Sequence, residues 1–261
     1  MKNPKDMIEN PVRPNKVDRL SAFFRAFDLS IQVSDSPVPT ADASIVVLGD
    51  SQRMPQQLIL YTGAPQRSAA EIDALVGASV SFGGPLNPLV TALPESVCVD
   101  LNELPTLHAI TRAFVEEALS PRCGQSAAMG RLCEVMLLMI LRQVIDGGAT
   151  PPGLLAGLSH PALHRALVAM HDAPDRPWRV EELACVSGMS RSQFMASFRQ
   201  TIGTTPAAYL TTWRLVLGHR ALVGGTKIKA VAQRVGFGSA SAFSRAYVRA
   251  FGYSPIVTRQ S

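Results

Sequence analysis

The sequence predicts an α+β protein in two parts. A mixed α/β domain occupies 1–150, and an all-α domain with two helix-turn-helix units joined by a long helix occupies 151–261. Three observations carry this. Short β-branched runs bounded by Gly, Pro and Asp fall between residues 44 and 101. DGGATPPG (146–153) then places two glycines that stop a helix ahead of two prolines that break one. Beyond that break one motif is written twice, as GMSRSQFMASFRQTIGTTP (188–206) and GFGSASAFSRAYVRAFGYSP (236–255).

Taken in order, residues 1–42 form a polar lead-in within which VDRLSAFFRAFDLSIQV (17–33) has amphipathic spacing and predicts a short helix. Strands are expected at SIVVLG (44–49), QLILYT (57–62), SVSFG (79–83) and SVCVDL (96–101). APQRSAAEIDALVG (64–77) reads as a loop or short helix, and GGPLNP (83–88) as a tight connection that could equally border a pocket. From residue 103 the apolar spacing turns helical, over 103–119 and 126–145. The second of these offers Met129, Leu132, Met136, Met139, Ile140 and Ile145 as a stripe, which suits either the domain core or a helix pair between two copies of the chain. Past the break, helices are expected at 160–172, 179–188, 190–203, 206–224, 227–236 and 239–252.

Composition excludes several classes. The charged, proline-broken start MKNPKDMIENPVRPNK is neither a secretory leader nor an anchor. The longest apolar run, VMLLMIL (135–141), is far too short for a membrane span. A cytoplasmic protein is expected, with no membrane partner. Cys98, Cys123, Cys133 and Cys185 show no zinc-finger spacing, so no metal set or disulfide framework is expected. Cys123 and Cys133 are candidates for a redox pair, because Arg122 beside Cys123 would favour its thiolate, although small buried hydrophobes are the plainer reading. Cys185 reads as core. Scattered histidines, no nucleophile elbow and no phosphate-cradling loop give an enzyme, or a cofactor, nothing to stand on.

Charge says more. The net charge is +5, yet no acidic residue follows Glu182, while ten Lys or Arg do. The chain is therefore +10 over 183–261 and −5 elsewhere, since 10 − 5 = 5. That asymmetry points to a polyanion partner for the C-terminal part.

The repeat supplies the form. Ser190, Phe194, Phe198, Gly203 and Pro206 recur 49 residues later as Ser239, Phe243, Tyr247, Gly252 and Pro255. Ala184 and Gly188 recur 48 residues later as Ala232 and Gly236, so each copy is a short helix, a glycine turn and a second helix. On the second helix the aromatic pair faces inward. Ser192, Met195, Ala196 and Arg199 lie opposite in the first copy, and Ser241, Ser244 and Arg245 in the second. Such a face can enter a major groove, where Arg forks onto guanine and Ser reaches bases or phosphates.

The stretch RPWRVEELACVSGMSRSQFMASFRQTIGTTPAAYLTTWRLVLGHRAL, followed by VAQRVGFGSASAFSRAYVRAFGYSP, closely resembles the AraC/XylS-type DNA-binding domain over 160–258. The resemblance implies a sequence-specific transcription regulator acting on double-stranded DNA. It places base contacts on Ser192, Met195, Ala196, Ser241, Ser244 and Arg245, and phosphate contacts on Arg191 and Arg199, with Arg249 beside them. A homodimer paired through the helix at 126–145 is expected, with RNA polymerase, which activation would require, and a small-molecule effector of unknown identity as further candidate partners. An alternative is a regulator with no effector, controlled by oligomerisation or by thiol redox. Upstream, FGGPLNPLVTALP (82–94), RCG (122–124) and RLCEVMLLMILR (131–142) resemble the second half of a cupin-type effector domain. No histidine precedes His108, so the HxH metal pair is missing, and a truncated or degenerate cupin is expected.

Overall fold

The computed structural model describes residues 18–27, 30–33, 42–62, 74–83, 86–120, 122–148 and 151–260. Of the polar lead-in, residues 1–17, 28, 29 and 34–41 lie outside them, as do residues 64–73 of the 64–77 segment. The N-terminal part is built on one antiparallel sheet of β1 (Ser30–Val33), β2 (Ala43–Gly49), β3 (Pro55–Thr62), β4 (Ala74–Ser81) and β5 (Ser96–Asp100), in spatial order β1-β4-β2-β3-β5. The strands alternate as half-buried strands must. Register puts Ile45 opposite both Leu60 and Ala78, Val47 opposite both Leu58 and Val76, and Leu58 opposite Val99. One face of cross-strand apolar pairs results, and all of these side chains are buried.

Two expectations fail here. The helix expected over 17–33 is only α1 (Ser21–Ala26), opened by the Asp18 carboxylate accepting from the amides of Leu20 and Ser21 at 3.1 and 3.0 Å. The chain then enters β1, because pairing with β4 gives its backbone partners that helical spacing in the sequence could not reveal. Likewise 74–77 is strand rather than loop or helix, paired to β2. Three short α-helices, among the described residues, were not expected at all. One is α2 (Pro88–Ala92), whose N-cap Asn87 is buried, accepting from Leu89 N at 2.9 Å and donating to Phe82 O at 3.0 Å. The tight connection expected at GGPLNP is thus organised by Asn87; residues 84 and 85 lie outside the described set.

α3 (Pro105–Leu119) and α4 (Gln125–Gly147) pack on each other and on the sheet. α4 buries Met129, Cys133, Met136, Leu137, Ile140, Leu141 and Ile145, so the buried stripe is rotated from the one expected. Leu132 and Met139 sit half-buried at its edge, and Val135 is exposed. The break follows, with Gly148 in the left-handed region at φ 68°.

Besides the C-terminal Pro255–Gln260, the other unexpected helix is α5 (Leu154–Ser159), directly after the break. It is pinned to the first helix-turn-helix unit, because Gly153 N donates to Thr201 O at 2.8 Å. Next come α6 (Leu163–Asp172), α7 (Val180–Val186), α8 (Arg191–Ile202), α9 (Pro206–Val223), α10 (Ile228–Arg234), α11 (Ala240–Phe251) and α12 (Pro255–Gln260).

Two cores hold this together. The first runs without interruption from the sheet through α4, α5 and α6 into α7, α8 and the first half of α9. The second is separate and small: Leu215 and Leu222 from α9, Val231, Ala232 and Val235 from α10 and its end, and Phe243 and Tyr247 from α11. α9 therefore belongs to both, with Trp213 and Val216 on one side and Leu215 and Leu222 on the other. Its 18 residues span about 27 Å at the helical rise.

Candidate nucleic-acid interface

The two repeats fold as near copies. α7 and α10 have 7 residues each, and α8 and α11 have 12 each. The turns match at their glycines, although the second is one residue longer: Gly188 and Gly236 have φ 67° and 81°, and Gly203 and Gly252 close the second helices at φ 84° and 80°. A left-handed residue at each of these points is accessible to glycine at little cost. Ser190 caps α8 in a closed capping box with Gln193. Ser239 caps α11, accepting from Ala242 N at 3.1 Å, but Ala242 has no side chain to return the bond.

Inward, Phe194 and Phe198 in the first unit and Phe243 and Tyr247 in the second are fully buried. The phenol that replaces Phe198 in the second copy needs partners for its hydroxyl. It has them in Thr258 Oγ1 of α12 at 2.8 Å and His219 Nδ1 of α9 at 2.6 Å. The second unit thus ties α11 to α9 by polar bonds where the first relies on apolar packing.

Outward, Arg191, Ser192, Ala196 and Arg199 are exposed on α8, and Ser241, Arg245 and Arg249 on α11. Ser244 is half-buried. Met195 is also half-buried, packed against the first core, so less of it is turned outward than the spacing suggested. Arg191 is engaged: its Nε donates to Glu181 Oε1 of α7 at 2.9 Å. That latch was not read from the sequence, although Glu181 stands among the last acids of the chain. Its neighbour Glu182 is committed elsewhere, accepting from Arg179 N at 2.8 Å and Arg176 at 2.6 Å. The Arg179 amide and the Arg176 guanidinium hold its carboxyl below the usual range.

Behind α8 lies a buried polar pair. His171 of α6 meets the Tyr209 hydroxyl of α9 at 2.7 Å, and its ring packs edge-on to Phe23 of α1 at 4.7 Å and against Trp213 at 4.6 Å. Burial pushes the imidazole down to about 3, so it is neutral, and its Nδ1 has no partner among the described residues. His164, on the same helix and also buried, bonds to His160 O at 2.8 Å. Arg25 of α1 pairs with Asp172 at 2.5 Å. The N-terminal part is thus clasped directly onto the first unit.

The cysteines divide. All four are free; Cys123 is exposed in the turn before α4, whereas Cys133 is in the core. Burial pushes the Cys133 thiol up to about 12, so it is not a thiolate at neutral pH, which works against the redox pair considered above. Cys185 is exposed, not core. No group of metal-ligating side chains occurs among the described residues, and none of their helices is long and apolar enough to cross a membrane.

A helix-turn-helix domain family model matches residues 183–261, and a cupin family model matches 25–146. A putative AraC-like transcription regulator of Streptomyces lividans is 34% identical over 69% of this chain and 61% of its own length. The chain pairs an AraC-type helix-turn-helix domain with a cupin domain. The transcriptional regulator AlkR of Acinetobacter baylyi is 37% identical over 67% of this chain and 58% of its own length. The chain thus spans about three fifths of the length of the curated relatives it matches. Among solved structures, the DNA-binding domain of AdpA in complex with a target DNA is 29% identical, with a TM-score of 0.37, over 39% of this chain and 92% of that one. The AraC-type domain is the double repeat itself. The cupin domain is the five-stranded sheet with the helices packed on it.

Proposed function

We propose that the chain is a sequence-specific transcription regulator whose AraC-type domain reads double-stranded DNA with α8 and α11 in two successive major grooves. The observation that supports this best is the duplicated reading helix: two 12-residue helices with matched glycine turns and buried aromatic pairs, in a segment that has no acid after Glu182. α9 holds them on one rigid spacer, as reading sites about 34 Å apart along one face of a duplex require. Ser192, Met195, Ala196, Ser241, Ser244 and Arg245 are assigned to base edges, and Arg191, Arg199 and Arg249 to phosphates. The units of function are 1–150 and 151–261, even though the first core crosses between them.

The same reading includes a homodimer, paired through the outer side of α4, where Leu132, Val135 and Met139 stay half-buried or exposed. RNA polymerase and a small-molecule effector complete the partners. The deciding experiment is selection of bound duplexes from a random pool by the purified protein. Two enriched blocks about ten base pairs apart support the two-groove reading; one block, or none, removes it.

A further inference from the structure

Pro174, Asp175 and Arg176 lie in the connection from α6 to α7, in the first unit, yet this connection touches the second. A Cβ added at Gly236, in the turn between α10 and α11, would lie 2.6 Å from Asp175 Cα, 2.7 Å from its O and 2.9 Å from its C. These are backbone atoms and cannot swing aside. The matching Gly188 of the first unit also has a positive φ, 67° against 81°. A Cβ there would meet nothing within 4 Å among the described residues. Gly188 is thus required by its φ alone, whereas Gly236 is required by its φ and by a close backbone approach.

The connection is built to hold that contact. Arg214 of α9 donates through Nε to Pro174 O at 2.5 Å and through Nη2 to Arg176 O at 2.9 Å. One planar guanidinium thereby fixes the carbonyls on both sides of Asp175. Pro174 and Pro177 restrict the backbone further. Trp178 Nε1 donates to Ala173 O at 3.0 Å, and the Arg176 guanidinium lies 4.0 Å from the Trp178 ring centre while pairing with Glu182 of α7. Asp175 is therefore presented to Gly236 by a stiff loop fastened to α7 and α9.

Two bodies joined by a single helix can twist about its axis, and a contact away from that axis opposes the twist. The second core seats α10 and α11 on α9, and the contact of Asp175 with Gly236 ties them to the first unit beside α9. Twist matters to a protein that reads two grooves at once. One base pair of extra spacing moves a block by about 3.4 Å along the duplex and by about 35° around it.

We propose that Arg214 and Gly236 are positioning residues that set the spacing at which α8 and α11 read their two blocks of DNA. Arg214 acts by holding Asp175 in place, and Gly236 by admitting it; neither reads a base. A second unit held in orientation before binding loses less freedom on the duplex, so affinity is high at one spacing and low at its neighbours. The inference rests on the two-groove reading.

The test uses the full chain and the paired-block duplex recovered by selection. Binding isotherms are measured on that duplex, on versions with one base pair added or removed between the blocks, and on one with the second block scrambled. The wild-type chain should favour the native spacing at least about tenfold over either neighbour. Arg214→Gln and Gly236→Ala should bring that preference below about threefold, while affinity for the first-block duplex stays within about twofold. That last affinity also reports that each variant is folded. Gly188→Ala carries the same left-handed strain without the contact and should keep the spacing preference. Arg214→Lys, which can still donate to either carbonyl, should restore part of it. Three results overturn the proposal with the two-groove reading intact. One is an unchanged spacing preference in either Arg214→Gln or Gly236→Ala. Another is a loss spread equally over all duplexes, the first-block one included, which is a purely structural role. The third is a lower slope of log affinity against log salt in Arg214→Gln, which would make Arg214 a phosphate contact. A wild-type chain that binds no paired-block duplex overturns the two-groove reading and this proposal together.

Discussion

Arg245 and Arg199 are both exposed arginines on reading helices, and they are expected to behave differently. Arg245→Ala should cost about 1–3 kcal/mol on the preferred duplex and relax the choice of one base pair. Arg199→Ala should weaken all duplexes alike and lower the slope of log affinity against log salt by about one. Identical behaviour of the two variants, measured by binding isotherms over a salt series, would refute the division into base and phosphate contacts. With the proposed phosphate role of Arg191, Glu181 opposes binding, since a phosphate would have to displace a carboxylate already at 2.9 Å. Glu181→Gln should therefore raise affinity for any duplex, and do so less at high salt.

His171 carries the pH dependence. Its imidazole stays neutral in the fold because burial pushes it down to about 3, whereas in the unfolded chain it takes a proton near pH 6.5. The unfolded state thus binds the extra proton. Stability is full above about pH 6.5 and falls as pH drops toward the folded value, by about 2 kcal/mol at pH 5. Urea unfolding at pH 7.5 and 5 should show this loss, and His171→Gln should remove most of it. His164 and His219 are also lowered by burial and supply the smaller remainder.

Among the helices, α9 is the part on which the two-unit design depends, and one glycine makes its second contact possible. A Cβ on Gly218 would lie 2.6 Å from Phe243 Cε2 and 2.9 Å from its Cζ, inside the ring that anchors α11. Gly218→Val should overpack the second core and cost about 1–3 kcal/mol. Because that core is separate from the first, the second block of the DNA motif should be lost while the first is kept. A selection repeated with this variant tests it; loss of both blocks would mean the units do not act separately. The helix ends of this region were readable because caps are local: Ser190 with Gln193, and glycine at 203 and 252, are sequence-near partners. The helix expected over 17–33 ends at Ala26 for the opposite reason. Its second half pairs with β4, some fifty residues away in the chain.

Across the full fold, the decisive feature is that one core joins the cupin domain to the first reading unit. Phe23 is its keystone, 1% exposed and wedged against His171 and Trp213. Phe23→Ala should cost about 3–5 kcal/mol and loosen the clasp. Hydrogen exchange in α6 and α9 would report it, and unchanged protection there would show that the clasp does not support the first unit. The double reading helix, its caps, its aromatic anchors and its charge were all determined by the sequence, because each depends on residues within a turn or two of one another or on a repeat that displays itself twice. The strand order, the rotation of the buried stripe on α4 and the burial of His171 were decided by the folded chain alone. Each depends on which distant surfaces meet, and apolar burial is non-directional, so a pattern of hydrophobic residues says that a face is covered without saying by what.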